Sequence, residues 1–329
     1  MRVGGEAALL PPSRVVDLIA RIKESADKLV RDQASRGDLK ILSRAVAELR
    51  YAFKIFAPYR SSRKVTIFGS ARTPSANPAY RQTVEFARAL ADAGWLVVTG
   101  GGGGIMEAGH VGAGRARSMG LNILLPFEQA ANPVIAGDPK LVHMKYFFTR
   151  KLMFVKESDA ICLAPGGFGT LDEGLEVLTL LQTGKRDMVP VVMLDEPGGD
   201  YWRDFNAFVQ RQLLGRKMID ADDLALFTIA DNAQEAVAEI LRFFRVYHSM
   251  RYVHADLVLR LSQPLGEGVL DDINTRFADI LLEGRFRLNG PLPEERDEPA
   301  LAQLPRLVFR FNRRAFSRLR QLINRLNAT

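Results

Sequence analysis

The chain has 329 residues, 47% of them hydrophobic and 25% charged, with a formal net charge of +7; this fits a soluble globular protein with one large domain and appendages, or two domains. Its single cysteine, Cys162, excludes an internal disulfide framework and fits a reducing compartment, and the four histidines, His110, His143, His248 and His254, have no metal-ligand spacing. The first residues lack the apolar core of a signal peptide and no apolar run is long enough to span a bilayer, so the expected address is the cytoplasm.

Ser13 to Phe56 reads as two helices broken near Gly37-Asp38, with apolar stripes at Val15, Leu18, Ile22, Leu29 and at Leu39, Leu42, Val46, Leu49. After a linker at Tyr59 to Arg63, strands and helices alternate. Val65 to Phe68 reads as a strand ending at Gly69-Ser70, and Asn77-Pro78 as the start of a helix over Tyr80 to Ala93. A strand at Trp95 to Thr99, the five glycines Gly100 to Gly104 and a helix from Ile105 to Met119 follow. Strands at Leu121 to Leu125 and Leu141 to Met144 precede a helix from Phe148 to Glu157. The alternation continues through Ala160 to Ala164, Leu171 to Gln182, Val189 to Leu194, Tyr201 to Leu213 and Leu226 to Ile229, and closes with a helix after Asp231. Repeated β-α-β units predict an α/β fold, a doubly wound parallel sheet of Rossmann-like type.

Beyond about residue 248 the pattern changes to a strand at Leu257 to Leu261, a helix from Gly268 to Leu282, an acidic loop from Pro291 to Pro299 and a basic amphipathic segment from Leu307 to Leu326. The expected organisation is a helical N-terminal extension (1–60), a sheet domain (61–248) and an α+β C-terminal extension (249–329). Leu301 to Thr329 holds seven arginines and no acid, equal to the excess of the whole chain. The balanced remainder gives no sign of nucleic-acid binding. The arginine helix reads as a solvated or subunit-facing element, and membrane contact through it is not expected.

Chemistry concentrates in Pro165 to Glu173, PGGFGTLDE, set between an apolar strand and an apolar-periodic helix. Gly166, Gly167 and Gly169 allow a tight turn and close approach to a ligand. The N–H groups of Gly169, Thr170 and Leu171 are expected to face outward at a helix N-terminus, where the macrodipole favours a phosphate. Asp172 and Glu173 are expected in the same first turn; a carboxylate beside a phosphate is repulsive, so at least one of them is assigned to chemistry. The run Gly100 to Gly104 sits at an equivalent strand-to-helix junction, and ligands bind at that edge of a parallel sheet. Two such runs point to a nucleotide or sugar-phosphate site.

Gly100 to Glu107 (GGGGGIME), Phe148 to Lys151 (FTRK) and Pro165 to Glu173 together resemble the LOG family, phosphoribohydrolases that release cytokinin bases from riboside 5′-monophosphates, many of them once labelled lysine decarboxylases. The resemblance is close from Lys64 to Gly184 and looser to about residue 245. It implies Glu173 as the catalytic carboxylate, Arg150 as its basic partner, and the Gly166, Gly167, Phe168, Gly169, Thr170 loop as the holder of the 5′-phosphate. Ser70 is expected to contact ribose or phosphate through its hydroxyl, with a local turn hydrogen bond as the equal alternative. Thr99 and Gly100, Gly101, Gly102 and Gly103 are expected to approach the ligand, some of the glycines serving instead for close helix–strand packing. Met106 and Glu107 are placed near the pocket by resemblance, with a helix-surface role for Glu107 as the alternative; Asp172 reads as a capping or exposed acid, Lys151 as a ligand-steering charge at most. The resemblance further implies no metal, no organic cofactor, and a homodimer or higher homo-oligomer. Small members lack the helical N-terminal stretch and everything after the core, so this chain resembles the long bacterial members, some of which look like general nucleotide 5′-monophosphate nucleosidases.

Two competitors rank lower. A dinucleotide-binding or nucleotide-sensing protein needs its glycine fingerprint after the first strand and an acid about 20 residues on. Here the glycine turn follows the second strand, and Glu128 comes late. A pyridoxal-phosphate decarboxylase needs a Schiff-base lysine, for which Lys151 and Lys156 are unconvincing.

Overall fold

A computed structural model describes residues 13–123 and 130–328. The chain opens with α1 (Ser13–Arg31) and α2 (Arg36–Phe56). The break between them falls at 32–35, ahead of the expected Gly37-Asp38. Ser35 Oγ accepts the Asp38 N–H at 3.2 Å while the Asp38 carboxylate accepts the Ser35 N–H at 3.0 Å. This reciprocal cap draws Gly37 and Asp38 into the first turn of α2.

The alternation that follows is β1 (Lys64–Phe68), α3 (Pro78–Asp92), β2 (Leu96–Thr99), α4 (Ile105–Arg117), β3 (Ser118–Ile123), β4 (Leu141–Met144), α5 (Phe147–Glu157), β5 (Ala160–Leu163), α6 (Phe168–Gln182), β6 (Val191–Leu194), α7 (Tyr201–Phe208), β7 (Thr228–Ala230) and α8 (Ala233–Phe243). The seven strands form one parallel sheet in the order β4-β3-β2-β1-β5-β6-β7. This is the doubly wound architecture that the β-α-β pattern predicts. Asn77 caps α3 with Pro78 in the first turn, as read from the sequence. Several boundaries differ. Gly114 (φ +71°) ends the regular part of α4 early, and Ser118 and Met119 pair with Val97 and Val98 as strand, not helix. The expected strand at 121–125 therefore starts sooner, and Leu124 and Leu125 lie outside the described residues.

A second, antiparallel sheet contains β8 (Tyr247–Val253), β9 (Asp256–Leu261), β10 (Leu281–Asn289) and β11 (Arg306–Phe311), in the order β10-β11-β9-β8, with α9 (Val269–Arg276) and α10 (Phe316–Asn327) packed beside it. The helix expected over 268–282 stops at Arg276, and Leu281 already belongs to β10. The basic segment is a strand followed by a helix. One hydrophobic cluster runs from Leu121 and Met144 through Phe243 and Tyr247 to Leu259, Phe309 and Leu322, joining the two sheets.

The C-terminal arginines correct a further expectation. Arg306 and Arg320 are buried, at 0% and 1% exposure, rather than solvated. Arg306 Nε lies 2.9 Å from Glu295 Oε2 and Arg260 Nε 2.8 Å from Glu295 Oε1, while Arg320 reaches Glu239 at 2.9 Å. A buried carboxylate between two guanidiniums is favourable only while every member is present. Burial pushes the Glu295 carboxyl up, but Arg306, the Leu292 N–H and Arg260 outweigh it and hold the group at about 2. A pKa depressed in the folded state gives stability that is complete above the ordinary value near 4.5 and is lost as pH falls toward 2. Glu295→Gln is expected to lower unfolding stability at pH 7 by about 3–5 kcal/mol and to remove this group's share of the acid dependence in that window. Equal urea midpoints for variant and wild type at pH 7 would refute the assignment.

Candidate active site

Strand order reverses between β1 and β5, so the loops leaving these two strands diverge and open a crevice at their carboxyl ends. The three loops around it interlock through main-chain bonds. Ser70 N–H donates to Pro165 O at 3.1 Å, and Ile105 N–H donates to Ser70 O at 3.0 Å. Gly104 sits at φ +62°, and a Cβ there would lie 2.3 Å from Ser70 O; a Cβ on Gly166 would lie 2.2 Å from Thr170 Oγ1. Only glycine allows these approaches.

The crevice is a cavity of about 590 Å³. Ser70, Gly100, Gly102, Arg150, Gly167, Phe168, Gly169, Thr170 and Glu173, all singled out from the sequence, line it together with Met106. Thr99, Gly101, Gly103, Glu107 and Gly166 do not line it. Thr99 is buried behind the glycine run, where its Oγ1 accepts the Gly101 N–H at 3.0 Å and meets His110 Nε2 at 3.1 Å. It shapes the run instead of facing a ligand. Glu107 is half-buried on α4, its charge acting on Tyr80. Gly166 holds the loop closed, its carbonyl accepting the Tyr201 hydroxyl at 2.5 Å.

Sequence reasoning missed Arg72, Asn122 and Phe147 among the lining residues, as well as the polar frame behind the glycines. Asn122 Nδ2 donates to Gly100 O at 3.1 Å, and Asn132 Nδ2 lies 3.1 Å from Gly101 O and 3.0 Å from Gly102 O. Two amides thus pin the carbonyls of the run. His110 completes the frame, its Nε2 against Met119 O and its Nδ1 against Asn132 Nδ2. Burial pulls the His110 pKa down and keeps the ring neutral.

The helix carrying the carboxylate starts earlier than the apolar pattern predicts. α6 begins at Phe168, and both Thr170 N–H and Leu171 N–H donate to Gly167 O, at 3.0 and 3.2 Å. The outward-facing amides are therefore those of Phe168 and Gly169, which have no acceptor within the helix. Glu173 accordingly lies in the second turn. That correction separates the anion cradle from the carboxylate by about one turn, ~5.4 Å along the axis, which removes the expected repulsion. Phe168 itself is 94% exposed at the cavity mouth.

Glu173 is 4% exposed. Lys151 Nζ stands 3.1 Å from its Oε2, and also 2.9 Å from Asp172 Oδ2 and 2.8 Å from Glu176 Oε2. One ammonium from α5 thus gathers three carboxylates of α6, a structural role the sequence reading did not assign it. Burial pushes the Glu173 pKa up; Lys151 and Arg150 pull it back, Asp172 adds to the push, and the net is upward. Burial pulls Lys151 down, but Glu176, Asp172 and Glu173 outweigh it and hold the ammonium above its ordinary value. The Arg150 guanidinium lies over the rings of Phe147 and Phe154, 5.1 and 5.7 Å from their centroids, which fixes its approach to the cavity.

Residues 102–240 match a family described as possible lysine decarboxylase. The chain is 30% identical over 149 residues to the probable cytokinin riboside 5′-monophosphate phosphoribohydrolase LOG4 of Oryza sativa subsp. japonica, covering 44% of this chain and 61% of that protein. It is 28% identical over 173 residues to the cytokinin riboside 5′-monophosphate phosphoribohydrolase of Mycobacterium tuberculosis, covering 50% of this chain and 88% of that one. The chain spans about three fifths of the two rice relatives for which the shares are 61% and 60%. Among solved structures, the molybdenum cofactor carrier protein of Chlamydomonas reinhardtii aligns with 55% of this chain and 97% of its own, at 19% identity and a TM-score of 0.38.

The electrostatics can be tested without a substrate. Because Lys151 pulls the Glu173 pKa down, Lys151→Met should raise it further, as read by NMR titration of labelled glutamate carboxyls; a fall would overturn the assignment. A pKa raised in the folded state means ionised Glu173 disfavours folding at neutral pH, and stability grows as pH falls through that value. Glu173→Gln should consequently keep or raise Tm at pH 7.

Proposed function

We propose, from the premise that this chain belongs to the LOG family over its parallel-sheet domain, that it is a phosphoribohydrolase cleaving the N-glycosidic bond of a nucleoside 5′-monophosphate. Its substrate is a purine nucleotide, AMP-like or a cytokinin riboside monophosphate, and its products are the free base and ribose 5-phosphate. The observation that carries this reading is the convergence of Glu173, Arg150 and the first-turn amides of α6 on one cavity.

The chemistry follows from that arrangement. The phosphate takes the Phe168 and Gly169 N–H groups at the positive end of α6. The ribose then runs along the helix toward the second turn, where Glu173 faces the anomeric carbon. As the C1′–N bond breaks, its electron pair leaves with the base and positive charge develops on the sugar; the Glu173 carboxylate stabilises that charge and activates the incoming water. The low exposure of Glu173 strengthens this interaction by excluding solvent. Among the described residues Glu173 is the sole acid lining the cavity, so the departing base takes its proton from water rather than from a second carboxylate. Arg150 clamps phosphate or ribose through its planar fork.

We place the reaction in the cytoplasm; no helix among the described residues is long and apolar enough to cross a membrane. Homodimers or larger homo-oligomers are the working assembly, supported by Phe148 and Leu152 on α5 and Leu175 on α6, which are exposed on the two helices that bear the site.

Incubation with AMP, GMP, CMP and N6-isopentenyl AMP is expected to release free base from at least one of them, measured by chromatography. Glu173→Gln should lower kcat by about 10²–10⁴-fold while AMP binding by calorimetry persists. Base release from none of the four by folded protein, or full activity in the variant, would dispose of the proposal.

A further inference from the structure

Helix α5 carries Arg150 and Lys151, yet its own sequence gives it a weak start. It has 11 residues, and its N-cap, Tyr146, supplies no side-chain hydrogen bond. A helix this short is marginal without outside support. That support comes from about 100 residues earlier. Glu48 of α2 is 5% exposed. Its Oε1 accepts the Lys145 N–H at 2.8 Å, and Thr149 Oγ1 lies 2.8 Å from its Oε2. The same hydroxyl is 2.9 Å from Tyr146 O, but the carboxylate is the stronger acceptor for its one hydrogen. Arg44 Nε completes the anion's shell at 2.8 Å from Oε1. Burial pushes the Glu48 carboxyl up, and Arg44, Lys145, Thr149 and Tyr146 outweigh it, keeping the group ionised at the positive end of α5. Farther along, Lys156 of α5 lies over the Phe53 ring of α2, 5.3 Å from its centroid.

We infer that the N-terminal helical extension is part of the active site's machinery, with Glu48 acting as a positioning residue that caps α5 from another helix and so sets where Arg150 and Lys151 stand. Thr149, which Glu48 grips, directly precedes both. The inference rests on the roles given to those two residues under the proposed function. Glu48 touches no substrate; it acts through the register and rigidity of the first turn of α5.

Glu48→Ala and Glu48→Gln, with Thr149→Val as a milder variant in case alanine fails to fold, test this in the full chain. Hydrogen exchange is expected to speed up at residues 145–151 in Glu48→Ala, with little change in β1, β2 or β5, and the glutamine variant should lie between. With AMP as the probe, Glu48→Ala should lose about 10²-fold in kcat, and glutamine, which keeps an acceptor, should recover much of it. The acid limb of kcat/KM should also move to higher pH, because Glu173 loses the restraining charges of Lys151 and Arg150 while Asp172 and Glu176 remain beside it. A purely structural role would lower Tm without moving that limb. Wild-type exchange at 145–151 together with a wild-type acid limb would overturn the inference. If the wild-type protein turns over no nucleotide, the proposed activity fails independently. Exchange then decides alone: protection lost only at 145–151 upholds Glu48 as the anchor of the Arg150 helix, and unchanged protection refutes it.

Discussion

At the carboxyl ends of β1 and β5 the main chain approaches itself so closely that side chains have no room. Ser70 N–H reaches Pro165 O, Ile105 N–H reaches Ser70 O, and Gly104 and Gly166 occupy points where a Cβ would lie 2.3 Å or less from its neighbour. These contacts join the loops after β1, β2 and β5 into one rigid rim. They also determine where α6 begins, because the Gly167 carbonyl is then free to accept from both Thr170 and Leu171. Two amides are left facing the crevice, and the carboxylate follows one turn later. The site is a consequence of backbone packing before it is a collection of side chains.

Glu173 shows what that placement costs. A buried carboxylate tends to take up a proton, which would end its usefulness toward a developing cation. Lys151 and Arg150 oppose that tendency without abolishing it. Lys151 is shared among three acids, so Glu173 does not receive the whole of its charge. The carboxylate therefore stays partly uncompensated and available to a positive centre in the cavity. Full pairing would stabilise the fold more and serve the proposed reaction less.

Much of this was legible in the chain, because close approach and special backbone angles leave residue-type marks. The alternation of strands and helices and the strand-to-helix junctions of the two glycine runs stand where sequence reasoning put them, and Arg150 and Glu173 line one cavity, Glu173 a turn later in its helix than read. What escaped depends on distant partners. The start of α6 turns on a single carbonyl, which periodicity does not encode. Thr99 looks ligand-facing until His110 and Gly101 are seen to claim its hydroxyl. The apolar spacing of 307–326 suits a helix as well as a strand and helix in succession. The fate of its arginines is decided by Glu239 and Glu295, far away or across a turn, so a segment that reads as solvated proves to be internal. Glu48 is likewise one acid on an amphipathic helix until Lys145 and Thr149 meet it.

The two extensions bear on the parallel sheet in the same way, from opposite directions. α2 holds the start of α5 through Glu48. α10 holds the far end of α6, where Gly184 at φ +65° leaves space for the Phe316 ring; a Cβ there would lie 1.9 Å from it. The last residue of α6 is tied in as well, since Gln182 Nε2 donates to Asp223 at 2.6 Å and Ser317 Oγ donates to the other oxygen of Asp223 at 2.5 Å. Lys151 then bridges α5 to α6. Each extension thus fixes one of the two helices that Lys151 and Glu173 join, and the bridge between those helices is the place where the two constraints meet. A sheet with bare loops would leave that meeting point to fluctuate by the ångström or so that separates a productive alignment from an idle one.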